Sequence, residues 1–330
     1  MSFKLLGVGS PLVDYSVDVS ENFIAEKVSG GKGGTRNISA EEKDSILAGF
    51  TGRITRTPGG SAANTVRIFS ALSGQASLFG KTGNDDDGKF FRTSLISAGA
   101  GTDLLICDDS ADTGFCLSLI TPDAERTMLS GLGASLNISA AEAAAVDFSS
   151  FGLMLVEGYL CQETWMDILW AKARQAGCRI ALDLNNFELV TKIRPRFHQL
   201  LGSKADLLFA NIQELAALYP QMTEPELFDS ISRQVPLAVI KLGKNGSVIL
   251  HNGRQLLIGA EKNLTVRDTT GAGDYYAAGF LYGLSRGAEL ETCGRLGSLC
   301  AAAVITRTGT ALNENELNEL YHIINREVEL

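Results

Sequence analysis

The sequence predicts an α/β fold: a doubly wound, mostly parallel sheet carrying a small β-sheet appendage. Three observations lead there. From Phe151 onward "FGLMLVEG", "QETWMDILWAKARQAG", "RIALDLN", "FHQLLGSKA", "DLLFAN", "IQELAALY" and "LAVIKLG" alternate as strand and helix. Runs such as "LMLVEG" and "DLLFA" are apolar without alternation, as strands are when helices cover both faces. Near the front, Val13, Tyr15, Val17 and Val19 alternate with polar residues instead, which marks a half-exposed strand leaving the core.

The remaining elements follow in order. "FKLLGVG" is a strand that ends at Gly7 and Gly9, and "SGGKGGT", Ser29 to Thr35, is a flexible loop. After Pro58, "GGSAANTVRIFSALSG" places apolar residues at helical spacing until Gly74 stops it. "QASLFGKTG" is a strand and turn, and "DDDGKFFRTSLISAG" a second helix, giving a βαβ rhythm. "TGFCLSLIT" and "ERTMLSGLGASL", joined by the turn "PDAE", read as a hairpin that joins the Val13–Val19 strand in the appendage. No repeat is visible, so the whole of 1–330 is predicted as one unit with the appendage inserted from about 13–57 and 113–130.

Composition narrows the function. The 330 residues are 45% hydrophobic and 20% charged, enough to bury a large core, and the formal net charge of −9 disfavours nucleic acid or an anionic membrane as partner. No stretch approaches about 18 uninterrupted apolar residues, and the start lacks the pattern of a secretory signal. The six cysteines are scattered without a CxxC pair, which predicts reduced thiols in a cytoplasmic chain. His198, His251 and His322 offer neither a metal-ligand nor a triad spacing.

Two phosphate-loop signatures fail. "GQASLFGKT" has five residues between Gly74 and Gly80 where a Walker A loop has four, with bulky Leu78 and Phe79 where the turn must be bare. "GVGSPL" lacks the third glycine of a dinucleotide fingerprint, which sets aside a nicotinamide-dependent oxidoreductase.

"DTTGAGDYYAAGF" is different. If Gly271, Ala272 and Gly273 form the first turn of the helix that follows, three backbone N–H groups lack intrahelical partners and, with the positive end of the helix dipole, form an anion hole. Asp274 then sits in that first turn. Alone it would be an acid favoured by the dipole; beside an anion hole it becomes a base for the group attacking the anion.

This stretch resembles the C-terminal signature of the ribokinase-like (PfkB) family of sugar and nucleoside kinases, and "PGGSAANTVRIFSALSG", about 200 residues earlier, resembles the N-terminal one. "GKTGNDDDGKFF", "NIQEL" and "KLGKNGSV" are similar to further elements of that family, so the likeness runs nearly the whole chain. It implies ATP with Mg²⁺, leaves a monovalent cation such as K⁺ open as an addition, and implies a small sugar or nucleoside as acceptor, phosphorylated on a primary alcohol. It implies Asp274 as general base and Gly271, Ala272 and Gly273 as the hole for the transferring phosphoryl group. Asn211 and Glu214 would organise Mg²⁺ through water, and Lys241, Gly243, Gly246 and Thr269 would shape the ATP site. Asp14, Gly59, Gly60 and Asn64 would line the acceptor pocket. Arg126, after the hairpin turn, and Glu157, at a strand end where open sheets put ligands, are further acceptor-side candidates.

"GSPLVD", "TGFCLSLIT" and "VITRTGTALNE" lean towards the adenosine-kinase-like branch, as does the long interval from Asp14 to Gly59. In "EGYLCQ", Tyr159 is able to stack on a purine and Leu160 is not. The appendage would close over the acceptor as a lid, and the chain is expected to be a monomer or a homodimer paired through it. A member of the same fold that binds sugar or nucleoside without phosphorylating it is the alternative, and the intact GAGD stands against it.

Overall fold

The computed structural model describes residues 3–123, 125–203 and 205–329. Its strands in chain order are β1 (Lys4–Val8), β2 (Leu12–Asp18), β3 (Thr35–Asn37), β4 (Ile54–Gly59), β5 (Ala76–Gly83), β6 (Leu105–Asp108), β7 (Thr113–Ile120), β8 (Arg126–Gly133), β9 (Phe151–Glu157), β10 (Arg179–Asp183), β11 (Leu207–Asn211), β12 (Leu237–Lys241), β13 (Ser247–His251) and β14 (Arg254–Ile258). Nine of them form the main sheet in the order β14-β13-β12-β11-β10-β9-β1-β5-β6. It is parallel from β12 to β6, with the antiparallel pair β13 and β14 added at one edge.

The apolar runs become strands because each feeds two cores. Leu153 and Leu155 of β9 pack on one side of the sheet, and Met154 and Val156 on the other. The helix Ala272–Arg286 lies in the first of these cores, buried on nearly every side from Tyr275 to Gly283. Buried side chains such as Phe280 and Leu281 contribute about 1.5–3 kcal/mol each. Its position is therefore set by its body, which leaves its N-terminus free for chemistry.

Chain order reverses at β1. The chain leaves β1 for β5 and β6 on one side and returns to β9 on the other, so the carboxyl ends of β1 and β9 form the switch point at which open α/β sheets bind ligands.

The appendage is a five-stranded sheet, β3-β8-β7-β2-β4. One face, with Val17, Phe115, Leu117, Leu119 and Leu129, packs against Ile24 and Ile46 of the helices Glu21–Lys27 and Ala40–Leu47. The sequence reading had no helix in this region. Both are short, and each starts at a serine, Ser20 or Ser39, whose hydroxyl caps the first turn. The predicted turn "PDAE" includes Ala124, which lies outside the described residues. A second difference is the helix expected at "FHQLLGSKA", which begins at Phe187 and runs to Gly202. Pro195 sits inside this helix, which is kinked at Ile193 (φ −117°, ψ 28°).

Candidate active site

The cleft lies between the carboxyl ends of the main sheet and the appendage. Asp274 is in the first turn of Ala272–Arg286, and both its oxygens are engaged: Ser61 Oγ donates to Oδ1 at 2.6 Å and Asn64 Nδ2 to Oδ2 at 2.8 Å. Ser61 and Asn64 stand one turn apart on the helix Ser61–Ala71, on one face. Asn185 Nδ2 donates in turn to Ser61 Oγ at 2.7 Å. Burial pushes the Asp274 carboxyl up and the donated hydrogen bonds draw it back, leaving it raised to about 6.

The helix N-terminus requires one correction. Gly271 is the N-cap, with φ 79°, and Ala272 N–H donates back to Thr269 O at 3.2 Å, so it is not one of the free amides. Among the described residues no acceptor pairs with the N–H groups of Gly271, Gly273 or Asp274. The hole is therefore Gly271, Gly273 and Asp274, with Asp274 supplying both an amide and the carboxylate.

Behind this hole opens a cavity of about 510 Å³ lined by Lys241, Gly243, Gly246, Thr269, Ala272 and Gly273 together with Val266 and Tyr276. The predicted ATP-side residues are thus assembled in one place. Lys241 Nζ lies 3.3 Å from Asp183 Oδ2. Burial disfavours its charge, but Asp183, Glu214 and Asp274 outweigh that and hold the ammonium above its ordinary value.

Asn211 and Glu214 meet, but chiefly in each other. Glu214 Oε2 accepts from Asn211 N at 2.8 Å and Oε1 from Asn211 Nδ2 at 2.7 Å, while Glu214 N donates to Asn211 Oδ1 at 2.8 Å. This capping box opens the helix Ile212–Leu218. Burial, only partly offset by Lys241, raises the Glu214 carboxyl to about 7. No cluster of three or more metal-ligating side chains exists among the described residues.

On the acceptor side, Asp14 faces the cleft from β2, and its carboxylate has no hydrogen-bond donor among the described residues. Burial raises it to about 7, against the pull of Arg67 and with a further push from Asp274. A Cβ on Gly59 would stand 2.4 Å from Asp14 Oδ1, and one on Gly60 (φ 89°) would stand 2.3 Å from Ser10 O. Those glycines shape the pocket by what they leave out.

Two predicted acceptor-side residues have partners inside the protein. Glu157, 2% exposed, accepts Ser10 N at 2.7 Å and Ala62 N at 3.0 Å, tying the loop after β1 to the start of Ser61–Ala71. It anchors the switch point rather than opening onto it. Arg126 reaches from the root of β8 to Asp268 Oδ1 at 2.8 Å and Thr270 Oγ1 at 3.0 Å, fastening the appendage to the loop before the anion hole. Asp268 also accepts from Thr270 N at 2.9 Å and Gly309 N at 3.0 Å.

Sequence reasoning missed Ser61, Asp183, Asn185 and Asp268 as parts of this network. Ser61 and Asp268 lay inside the quoted signatures, and only their contacts across the fold distinguish them from ordinary polar neighbours.

Comparison with known proteins bears on the family and the fold. The pattern described as pfkB family carbohydrate kinase matches residues 39–317. A nucleoside kinase of Methanothermobacter thermautotrophicus is 29% identical over 276 residues, covering 81% of this chain and 84% of that protein. The crystal structure of adenosine kinase from Sinorhizobium meliloti superposes with a TM-score of 0.85 at 29% identity, covering 98% of this chain and all of the other. A probable sugar kinase from Rhizobium etli gives 0.84 at 28% identity, covering 98% and 99%. With the two signatures, the cleft and these likenesses in agreement, the chain belongs to the pfkB family of carbohydrate kinases, with the ribokinase-like fold of its adenosine kinase relatives.

Proposed function

We propose that the chain is an ATP-dependent kinase that phosphorylates the primary hydroxyl of a nucleoside, with adenosine the first candidate. The observation that carries this is the place of Asp274. It stands beside the unpaired amides of Gly271 and Gly273, between the 510 Å³ cavity and the unpaired carboxylate of Asp14. A carboxylate, unpaired amides and the mouth of a cavity meet within one helical turn.

Asp14 accepts hydrogen bonds from two ring hydroxyls, as an ionised carboxylate with two oxygens can. That aims the substrate's primary hydroxyl at Asp274, which takes its proton as the oxygen attacks the γ-phosphorus and the bond to the ADP oxygen breaks. The amides of Gly271, Gly273 and Asp274 receive the charge on the transferring group, and Lys241 adds a fixed positive charge beside it. Mg²⁺ neutralises phosphate charge when bound. Glu214 and Asn211, already spent on each other, suit a hydrated ion held through water and not a directly bound one.

The choice of a nucleoside over a single sugar rests on the cleft-facing side of the appendage. Register aligns Asp14, Cys116, Ser130 and Asn37 in one row across four strands. Three strand spacings of roughly 4.8 Å make that row about 14 Å long, more than one sugar ring fills. Tyr159, 37% exposed, with its phenol raised by burial and by the nearby charges of Glu157 and Asp274, is the aromatic side chain available for a base, whereas Leu160 is fully buried. The other face of the appendage is covered by its own helices, which favours a monomer over a dimer paired through that face. All six cysteines are free, and no helix among the described residues is long and apolar enough to cross a membrane, in keeping with a cytoplasmic enzyme.

The test is ADP release from MgATP with adenosine, other nucleosides, ribose, fructose and ketodeoxy sugars, with and without K⁺. A nucleoside-dependent release yielding the 5′-monophosphate is expected. A nucleoside that raises the melting temperature without ADP release from any acceptor would replace the kinase by a binding protein.

A further inference from the structure

The cleft gathers the carboxylates of Asp14, Asp183, Glu214 and Asp274, with the buried Glu157 close enough to feel Asp274, and Lys241 is committed to Asp183 on the ATP side. The acceptor half needs a cation of its own. We infer that Arg67 is a positioning residue for that half: its guanidinium fixes the orientation of Asn64 against Asp274 and sets a buried positive charge beside Asp14 and Asp274. This rests on the kinase reading above and adds a residue that none of the signatures assigns.

Arg67 lies one turn beyond Asn64 on Ser61–Ala71 and is 7% exposed. Its Nη2 donates to Asn64 Oδ1. A guanidinium only donates, so Oδ1 of Asn64 must face it, and Nδ2 is left to meet Asp274 Oδ2 at 2.8 Å. Without that donor the amide is free to turn and set its oxygen against a carboxylate oxygen. Arg67 Nε has no partner among the described residues, and no carboxylate there lies within ion-pair distance of the guanidinium. A buried cation without an ion-pair partner is costly unless nearby charge compensates it.

Tyr275 on Ala272–Arg286 would favour the Arg67 cation only as a phenolate, and burial keeps its phenol neutral, so the compensation comes from Asp14 on β2 and Asp274 on Ala272–Arg286. Glu314, with Ser94 and Ser97, lines the cavity on the outer side of Arg67. Asp274 is faced in addition by Asp183 and Lys241, and it acts in turn on Glu157 and Glu214. Cys116 faces Asp14 from β7. Of these, Arg67 is the group that favours the ionised form of Asp14.

The experiment is the pH profile of kcat/KM for the acceptor in wild type, Arg67→Met and Arg67→Lys. In Arg67→Met the acid limb moves up by about one pH unit. The loss is therefore about tenfold at pH 6.5 and shrinks towards pH 9, while Arg67→Lys, which retains the charge, stays near the wild-type limb. An equal loss at every pH with an unmoved limb would assign Arg67 to packing and overturn the inference. Should Arg67→Met alone fail to fold, the double variant Arg67→Met with Asp14→Asn folds, because a carboxylate has left with the cation; failure of both overturns it as well. Wild type is the control for the underlying reading: absence of phosphoryl transfer there contradicts the kinase, whereas transfer with an Arg67-independent limb contradicts only this inference.

Discussion

The two sheets of this protein differ in what covers them. Each central strand of the main sheet is buried on both faces, so its side chains serve two cores and its position is over-determined. The appendage is covered on one face only, by its own two helices, and its other face carries Asp14, Ser16, Cys116, Ser118 and Ser130 into the cleft. The difference separates two tasks. The rigid sheet and the buried helix Ala272–Arg286 hold the groups proposed to act in phosphoryl transfer, which must not move during it. The half-covered sheet holds the groups proposed to choose the acceptor, on a part that polar contacts tie down at its edges. Arg126 pairs with Asp268 on one side, and Arg56 and Tyr15 meet Asp87 on the other.

Changes on the body should therefore cost turnover, and changes on the appendage should cost acceptor affinity. The largest loss is expected at the anion hole. A Cβ on Gly273 would stand 3.0 Å from Lys241 Nζ, and a valine there also fills the space for the phosphoryl group. Gly273→Val should lower kcat by about two to three orders of magnitude; steady-state kinetics showing a pure KM effect would erase the division between the sheets.

Asp14→Asn comes next. It weakens charge-assisted hydrogen bonds to the acceptor hydroxyls, so kcat/KM for the acceptor should fall about 10- to 100-fold while the KM for ATP holds. A matching rise in the ATP KM would mean that Asp14 serves the body and not the acceptor.

The smallest effect is expected at the fastening. Arg126→Met should raise the acceptor KM several-fold and lower the melting temperature modestly. The pH dependence has a definite sign. Burial would raise the Asp268 carboxyl, but Arg126, the amides of Gly309 and Thr270 and the Thr270 hydroxyl together hold it well below the usual range. Such a group stabilises the fold above its unfolded value near about 4 and loses that contribution as pH falls further. The melting-temperature gap between wild type and Arg126→Met should thus be full at neutral pH and close in acid. A gap that persists unchanged into acid would remove Asp268 as the partner that matters.

The same contrast explains how much could be read from sequence. Strands such as Phe151–Glu157 and Leu207–Asn211 were legible because two-sided burial writes an unbroken apolar run. The two helices on the appendage were not, because a single covered face asks for few apolar residues in each: Ile24 in one and Ile46 in the other. In the site, Asp274 and its glycines were visible as local spacing. The correction at Ala272 was not, since its N–H turns back to Thr269 through a geometry that residue identity does not encode. Nor was the network of Ser61, Asn185 and Arg67, whose meaning comes from partners up to 213 residues away.

The central claim is that Asp274 deprotonates the acceptor while the amides beside it hold the phosphoryl group. It is tested most directly by Asp274→Asn, with acceptor-dependent ADP release measured beside MgATP binding and thermal melting. The account predicts a loss of turnover of at least about two orders of magnitude with nucleotide binding and melting temperature nearly intact. Retention of most of the wild-type rate would contradict it.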